Sequence, residues 1–280
     1  MKKIAILYDF DKTLSTTDMQ EYDFMKNLNT TPSEFWGETD KYSKEYGADK
    51  ILMYMYMMLK KCKEKGIPLT HKFLNECGKS VDLLPGVYTW FKRINQFVLN
   101  LGYECEHYII SSGISEIIEG TSIYDNFKSV FGCSFIYEDG VAVWPKTAIN
   151  YTQKTQYLFR IAKGTLDITD DDTVNKKAKC LAIDYENMIY IGDGITDVPC
   201  MQIIKQSGGN SIAVYRNKLE TAKSLIDDAR VNFVCEADYT EGSMLDEAVK
   251  LIIGNIANRD RLKEKEKKSF EKIAGGVNEG

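Results

Sequence analysis

Short apolar runs alternate along this chain with longer stretches of helical periodicity. The runs are rich in residues that favour β-structure, and we predict strands at 4–8, 105–110, 188–191, 211–215 and 231–235. Helical patterns lie between and after them, at 87–101, 151–162, 198–205, 218–228 and 243–254. This alternation predicts an α/β fold, a Rossmann-like, doubly wound parallel sheet covered by helices on both faces. A hairpin around Asp139 and Gly140 adds one antiparallel pair.

The stretch 17–81 interrupts the alternation. It contains helical patterns and no predicted strand, so we expect an all-helical block inserted directly after the first strand. One of its helices carries a run of methionines and tyrosines at 51–59. Burial in a helical core is the simpler explanation of that run, and a soft apolar surface for a substrate or partner is the alternative.

The first predicted strand ends in two carboxylates, Asp9 and Asp11, followed by Thr13. Ligands of parallel α/β sheets lie beyond the carboxyl ends of the strands, which is where both acids are expected. A divalent cation that prefers oxygen ligands is the simplest way to hold two acids so close together. Taken alone, the segment leaves two alternatives open: an Asx-type turn, and the metal-binding Asp-x-Asp of sugar-nucleotide transferases.

Composition narrows the classes of function. The chain has 280 residues and a formal net charge of -5, which argues against broad nucleic-acid binding. Its seven cysteines contain no C-x-x-C pair, which is typical of reduced thiols in a cytosolic protein. No apolar stretch approaches membrane-spanning length, and the N-terminus lacks the pattern of a signal peptide. We therefore expect a cytoplasmic protein without a nucleic-acid or membrane partner.

Two further strand ends and one lysine complete a four-part pattern. The strand at 105–110 leads into Ser111-Ser112-Gly113, Lys154 lies in a predicted helix, and the strand at 188–191 leads into a Gly-Asp-x-x-x-Asp sequence containing Asp193 and Asp197. Together with Asp-x-Asp-x-Thr, this order resembles the haloacid dehalogenase superfamily of phosphohydrolases over essentially the whole chain. The helical block is similar to the cap of that family's phosphoserine phosphatase branch. The resemblance implies a cap domain at 17–81 and a core domain formed by 1–16 and 82–280.

The resemblance also implies a chemistry that uses an aspartyl-phosphate. Asp9 would be the nucleophile, and Asp11 would protonate the leaving oxygen and later accept a proton from water. Mg²⁺ would bind Asp9, the backbone carbonyl of Asp11 and Asp193. Dehalogenases of the superfamily lack the second acid, so Asp11 favours phosphatase or phosphotransferase chemistry.

The remaining motif residues would bind the phosphoryl group or orient the others. By resemblance, the Ser111 hydroxyl and the backbone N–H groups of Ser112 and Gly113 hold phosphoryl oxygens, as does Thr13 of the first motif. Lys154 would place a positive charge between Asp9 and the phosphate. Asp197 would orient the metal shell or Lys154.

Asp18 bears on the choice of substrate. In the phosphoserine phosphatase branch, a glutamate nine residues after the nucleophile binds the amino group of the substrate, and this sequence has Asp18 at that position. We expect a small phosphorylated metabolite, amine-bearing ones included, with Asp18 near its distal end. Two alternatives stay open, namely a phosphotransferase or mutase that passes the phosphoryl group to a second substrate, and a non-catalytic protein that senses phosphate or binds a partner.

Overall fold

A seven-stranded sheet forms the centre of the computed structural model, which describes residues 1–178, 180–216 and 230–276. The strands are β1 (Lys2–Tyr8), β2 (Tyr103–Ile114), β3 (Ser129–Glu138), β4 (Val141–Thr147), β5 (Met188–Gly192), β6 (Asn210–Tyr215) and β7 (Phe233–Glu236). Their order across the sheet is β4-β3-β2-β1-β5-β6-β7. All neighbours pair in parallel except β3 and β4, which form the predicted hairpin.

The centre of the sheet brings three carboxyl ends together. Strand β1 lies between β2 and β5, and its residue Tyr8 pairs with Ile109 on one side and with Ile191 on the other. The backbone N–H of Asp9 then donates to the Ile191 carbonyl at 3.0 Å, which fixes the first residue beyond β1 against the end of β5. Because the strand order reverses beside β1, this edge of the sheet is the expected place for a ligand.

Helices cover the sheet and form the inserted block. They are α1 (Asp23–Asn27), α2 (Pro32–Tyr46), α3 (Lys50–Glu64), α4 (His71–Gly78), α5 (Val87–Asn100), α6 (Ser115–Glu119), α7 (Thr155–Lys163), α8 (Asp171–Asn175), α9 (Val198–Gln206) and α10 (Met244–Gly276). The predicted helix at 218–228 lies outside the described residues. Helix α10 continues well beyond the predicted end at residue 254. In the part of the chain that is described, no helix is long and apolar enough to cross a membrane.

Helices α1–α4 connect to the sheet through two antiparallel segments. The N–H of Thr16 donates to the Asp82 carbonyl at 2.9 Å, and the N–H of Leu84 donates to the Leu14 carbonyl at 2.9 Å. The chain therefore leaves the sheet and returns to it at adjacent points, close to the predicted boundaries of the helical block. Most side chains of the methionine and tyrosine run in α3 are buried, whereas Leu52 and Tyr56 are exposed. The run thus serves mainly as the packing core of the block.

One strand extends further than predicted. The sequence places the end of the second strand at Ile110, but β2 continues through Ser111 and Gly113 to Ile114. Its pairing with β3 shifts register between Ile110 and Ile114. Ser111 and Ser112 therefore lie within the strand, at its carboxyl end. An irregular register of this kind changes the direction in which the side chains of the strand point.

Candidate active site

The centre of the site is a buried lysine between two carboxylates. Lys154 lies on the short 3-10 helix Tyr151–Lys154 and is wholly buried. Its Nζ is 2.7 Å from Asp197 Oδ1 and 3.0 Å from Asp9 Oδ1. Burial lowers the pKa of Lys154, but the carboxylates of Asp197 and Asp9 raise that pKa by more. The ammonium group therefore stays charged and joins the loops that follow β1 and β5.

Asp197 is held by several donors at once. Besides Lys154, the Tyr190 hydroxyl donates to Asp197 Oδ1 at 2.7 Å, and the N–H of Gly194 donates to Asp197 Oδ2 at 3.2 Å. The backbone passes so close that a Cβ added at Gly192 would lie 2.5 Å from Asp197 Oδ2. Both oxygens of Asp197 are thus occupied by contacts within the chain, which suits a residue that positions Lys154.

Three carboxylates form a group suited to a cation. Oxygens of Asp9, Asp193 and Asp197 lie within 4.8 Å of one another. Burial, and next the charge of Asp197, raise the pKa of Asp9 to about 6. Burial, and next the charges of Asp9 and Asp197, raise the pKa of Asp193 to about 8. A divalent cation would relieve this repulsion, and carboxylate oxygens are the donors that Mg²⁺ prefers.

Asp9 and Asp193 fit the metal better than the other acids. Oδ1 of Asp9 is buried and makes no hydrogen bond within the described residues, apart from its ion pair with Lys154. The oxygens of Asp197 already accept hydrogen bonds. The carboxyl of Asp11 is not part of this group, so only its backbone carbonyl, as the resemblance implies, stays a predicted ligand.

Asp11 contacts the start of the helical block. Its Oδ1 accepts a hydrogen bond of 2.7 Å from the N–H of Met19, at the start of the helical block. Burial, and next the charges of Asp18 and Asp9, raise the pKa of Asp11 well above its ordinary value. A raised pKa lets a carboxyl group keep its proton to a higher pH than an ordinary aspartate, which suits a donor to a leaving oxygen.

The serine segment at the end of β2 contacts the helical block at two points. The Ser112 carbonyl accepts a hydrogen bond of 2.6 Å from the hydroxyl of Tyr54 in α3. Met19 packs directly on Gly113, where an added Cβ would lie 2.0 Å from the Met19 Cε. Within the segment, the N–H of Gly113 donates to Ser111 Oγ at 3.0 Å, whereas Ser112 Oγ is buried and has no hydrogen-bond partner among the described residues.

Two predicted substrate residues, Thr13 and Asp18, make contacts that the sequence does not indicate. Thr13 is buried, its carbonyl accepts from the Tyr239 hydroxyl at 2.7 Å, and its own hydroxyl has no partner among the residues described. Asp18 lies close enough to Asp11 to raise its pKa, but its Oδ2 is already 2.5 Å from the Nζ of Lys12.

Several residues of the site are absent from the sequence-based prediction. Lys12 stands between two motif residues and Tyr190 stands two residues before the Gly192-Asp193 pair, so their neighbourhood to the site was visible in the sequence. No sequence signal separates Met19 or Tyr54 from the other apolar residues of the helical block. Their contacts with the serine segment depend on how that block folds back.

Comparison with known proteins agrees with this geometry. A sequence model of the haloacid dehalogenase-like hydrolases matches residues 6–202. An uncharacterized protein of Borreliella burgdorferi is 28% identical over 270 residues, which cover 86% of this chain and 93% of that protein. A HAD family hydrolase from Salmonella enterica subsp. enterica serovar Typhi has a similar structure, with a TM-score of 0.57, 18% identity, and coverage of 89% of this chain and 70% of that one.

Two phosphoserine phosphatase structures share the fold. A substrate-bound complex has a TM-score of 0.56 and 18% identity over 90% of this chain and 99% of its own. A phospho-aspartyl intermediate analogue has a TM-score of 0.54 and 17% identity over 90% and 99%. At these identities the two structures show the fold, and they confirm the predicted fold class. With the family match over residues 6–202, the four motifs assign the chain to the haloacid dehalogenase-like hydrolases, and it belongs to that family.

Proposed function

We propose that the protein is a Mg²⁺-dependent phosphatase that hydrolyses a small phosphomonoester through an aspartyl-phosphate at Asp9. The carboxylate of Asp9 carries this proposal, because it is buried next to Asp193 and its Oδ1 lies 3.0 Å from the Lys154 Nζ. Fold neighbours that are phosphoserine phosphatases, one of them a phospho-aspartyl intermediate analogue, support the same chemistry.

The residues of the site fit the two half-reactions. Asp9 attacks phosphorus, the new P–O bond forms as the bond to the alcohol breaks, and Asp11 gives its proton to the leaving oxygen. Water then attacks the aspartyl-phosphate and returns a proton to Asp11, so that phosphate leaves and Asp9 is regenerated. Mg²⁺, held by Asp9 and Asp193, would offset the repulsion between carboxylate and phosphate.

The other predicted residues fit binding and positioning. Lys154 contributes a fixed positive charge beside Asp9, and Asp197 keeps that charge in place. The Ser111 hydroxyl and the backbone N–H groups of Ser112 and Gly113 would donate to phosphoryl oxygens, with the Gly113 N–H giving up its bond to Ser111 Oγ to do so. Thr13 is close by in sequence to the two acids.

The helical block fits the role of a cap domain. We assign 17–81 to the cap and 1–16 with 82–280 to the core, because the paired segments at Thr16 and Asp82 mark where the chain leaves and re-enters the sheet. The contact of Tyr54 with the Ser112 carbonyl brings the cap directly onto the proposed phosphate site. A cap in this position excludes water from the reacting group and selects the alcohol part of the substrate.

Hydrolysis of a generic aryl phosphate tests the proposal. We expect turnover with Mg²⁺, loss of turnover after chelation, and a decrease of about a thousandfold or more in Asp9→Asn. Asp139→Asn is the matched control, because Asp139 is exposed in the hairpin turn. Turnover without a divalent metal, or full activity of Asp9→Asn, would contradict the proposal. Added alcohols that receive the phosphoryl group in place of water would identify a phosphotransferase.

A further inference from the structure

We infer that the alcohol part of the substrate carries no ammonium group, because Lys12 of the chain itself already neutralises Asp18. The inference rests on the proposed phosphatase function and concerns the same site. It narrows the expected small metabolites to those without an amino group near the phosphate.

An internal ion pair lies beside the acids of the site. Lys12 directly follows Asp11, and its Nζ is 2.5 Å from Asp18 Oδ2. The Lys12 side chain is 48% exposed and that of Asp18 is 26% exposed, so the pair is reachable from solvent while the carboxylate is largely covered. The position is one that substrate groups beyond the phosphate would approach, since the N–H of Met19, the residue after Asp18, donates to Asp11 Oδ1 at 2.7 Å.

The backbone at Lys12 is unusual. Its φ of 59° lies in the left-handed region, which favours glycine. The sequence nevertheless has a long cationic side chain here, and that side chain reaches the acid six residues later. The turn is held in part by the backbone N–H of Lys12, which donates to Ser15 Oγ at 3.3 Å.

The charges decide which substrates are accepted. Burial raises the pKa of Asp18, and the charge of Lys12 opposes that increase. Glu21 is a second acid close to Asp18, and its charge also raises the pKa of Asp18. A substrate ammonium that approached Asp18 would meet the Lys12 ammonium at the same oxygen. It would have to displace Lys12 and leave that charge without its partner. A hydroxyl group at the same place would meet no such repulsion.

Two substrates that differ in one group test this directly. O-Phosphoethanolamine and 2-hydroxyethyl phosphate have the same length, and only the first carries an ammonium. Each is measured as a substrate and as an inhibitor of aryl phosphate hydrolysis, so that selectivity is obtained whether or not the compound turns over. For the wild-type protein we expect at least about a tenfold preference for the hydroxyl compound.

Variants then assign the preference to the ion pair. Lys12→Met keeps the length of the side chain and frees Asp18, so it should shift the ratio about tenfold towards phosphoethanolamine. Adding Asp18→Asn to Lys12→Met should return the ratio towards that of the wild type. Lys2→Met is the matched control, because Lys2 pairs with Asp260 at the opposite end of β1, about 20 Å from the site by strand rise.

The outcomes separate the inference from the function it rests on. A wild-type preference for phosphoethanolamine, or an unchanged ratio in Lys12→Met, overturns the inference while aryl phosphate turnover leaves the phosphatase standing. Absence of aryl phosphate turnover in the wild-type protein overturns both. The tenfold shift in Lys12→Met, reversed by the second substitution and absent in Lys2→Met, supports both.

Discussion

The two lysines of the site occupy opposite environments. Lys154 is wholly buried between Asp9 and Asp197, whereas Lys12 is about half exposed and pairs with Asp18. Breaking a buried ion pair leaves an uncompensated charge and is strongly destabilising, but an exposed pair contributes little to stability. In the function proposed above, the same type of contact would therefore build the reaction centre at the strand ends and adjust substrate selectivity at the solvent side.

Removing the buried charge should have the largest effect. In Lys154→Met, Asp9 and Asp197 lose their shared cation, so we expect a loss of about 3–5 kcal/mol in the free energy of unfolding and loss of turnover. Lys12→Met should lose no more than about 1 kcal/mol. Denaturant unfolding of both variants at pH 7 without Mg²⁺ measures the difference. Equal destabilisation would show that the two environments do not differ as described.

Metal binding at the acids Asp9 and Asp193, near the buried Lys154, should depend on pH. Without metal, the pKa of Asp9 is about 6 and that of Asp193 is about 8, whereas unfolded aspartates titrate near 3.9. The folded state then binds more protons than the unfolded chain between about pH 4 and pH 8. The contribution of these acids to the free energy of unfolding therefore decreases as the pH rises through that range.

Mg²⁺ should offset that loss, because it binds deprotonated carboxylates. We expect Mg²⁺ to raise Tm by at least about 2 °C more at pH 8 than at pH 6. Comparing each pH with and without Mg²⁺ cancels groups elsewhere, such as His107, whose pKa burial lowers to about 3. Asp193→Asn should abolish the difference. A larger shift at pH 6 would contradict the assignment of Asp9 and Asp193 to the metal.

The positions of the site residues at the strand ends can be predicted from the sequence far more readily than the contacts made by the helical block. Asp9, Asp193 and Asp197 directly follow or lie close behind apolar strands, and parallel strands bring such positions to one edge. Tyr54 lies 58 positions from Ser112, and no local pattern indicates that contact. The Lys12–Asp18 pair depends equally on how the chain turns after β1.

Two element boundaries show what local sequence patterns leave open. The polar serines suggest an end to β2 at Ile110, but β2 continues to Ile114, because strand pairing uses main-chain groups and does not require apolar side chains. The charge run at 259–268 is typical of either a solvated helix or a frayed end, and the structure shows the helix. Helix α10 continues through it, with pairs one turn apart such as Lys268 and Glu264 at 2.7 Å. Residue propensity and hydrophobicity alone take account neither of the main-chain pairing of β2 nor of the ion pairs along α10.

The smallest effect is expected where the helical block contacts the strand end. Tyr54→Phe removes the hydrogen bond from the Tyr54 hydroxyl to the Ser112 carbonyl, which keeps the Cys133 thiol 3.3 Å away as a donor. We expect about 1 kcal/mol lower stability and a severalfold higher KM, with kcat nearly unchanged, because the bond orients the phosphate segment without joining the reaction. Tyr56→Phe on the exposed face of the same helix is the control. A fall in kcat instead of a rise in KM would show that Tyr54 belongs to the reaction centre. The reaction centre would then include part of the helical block as well as the strand ends.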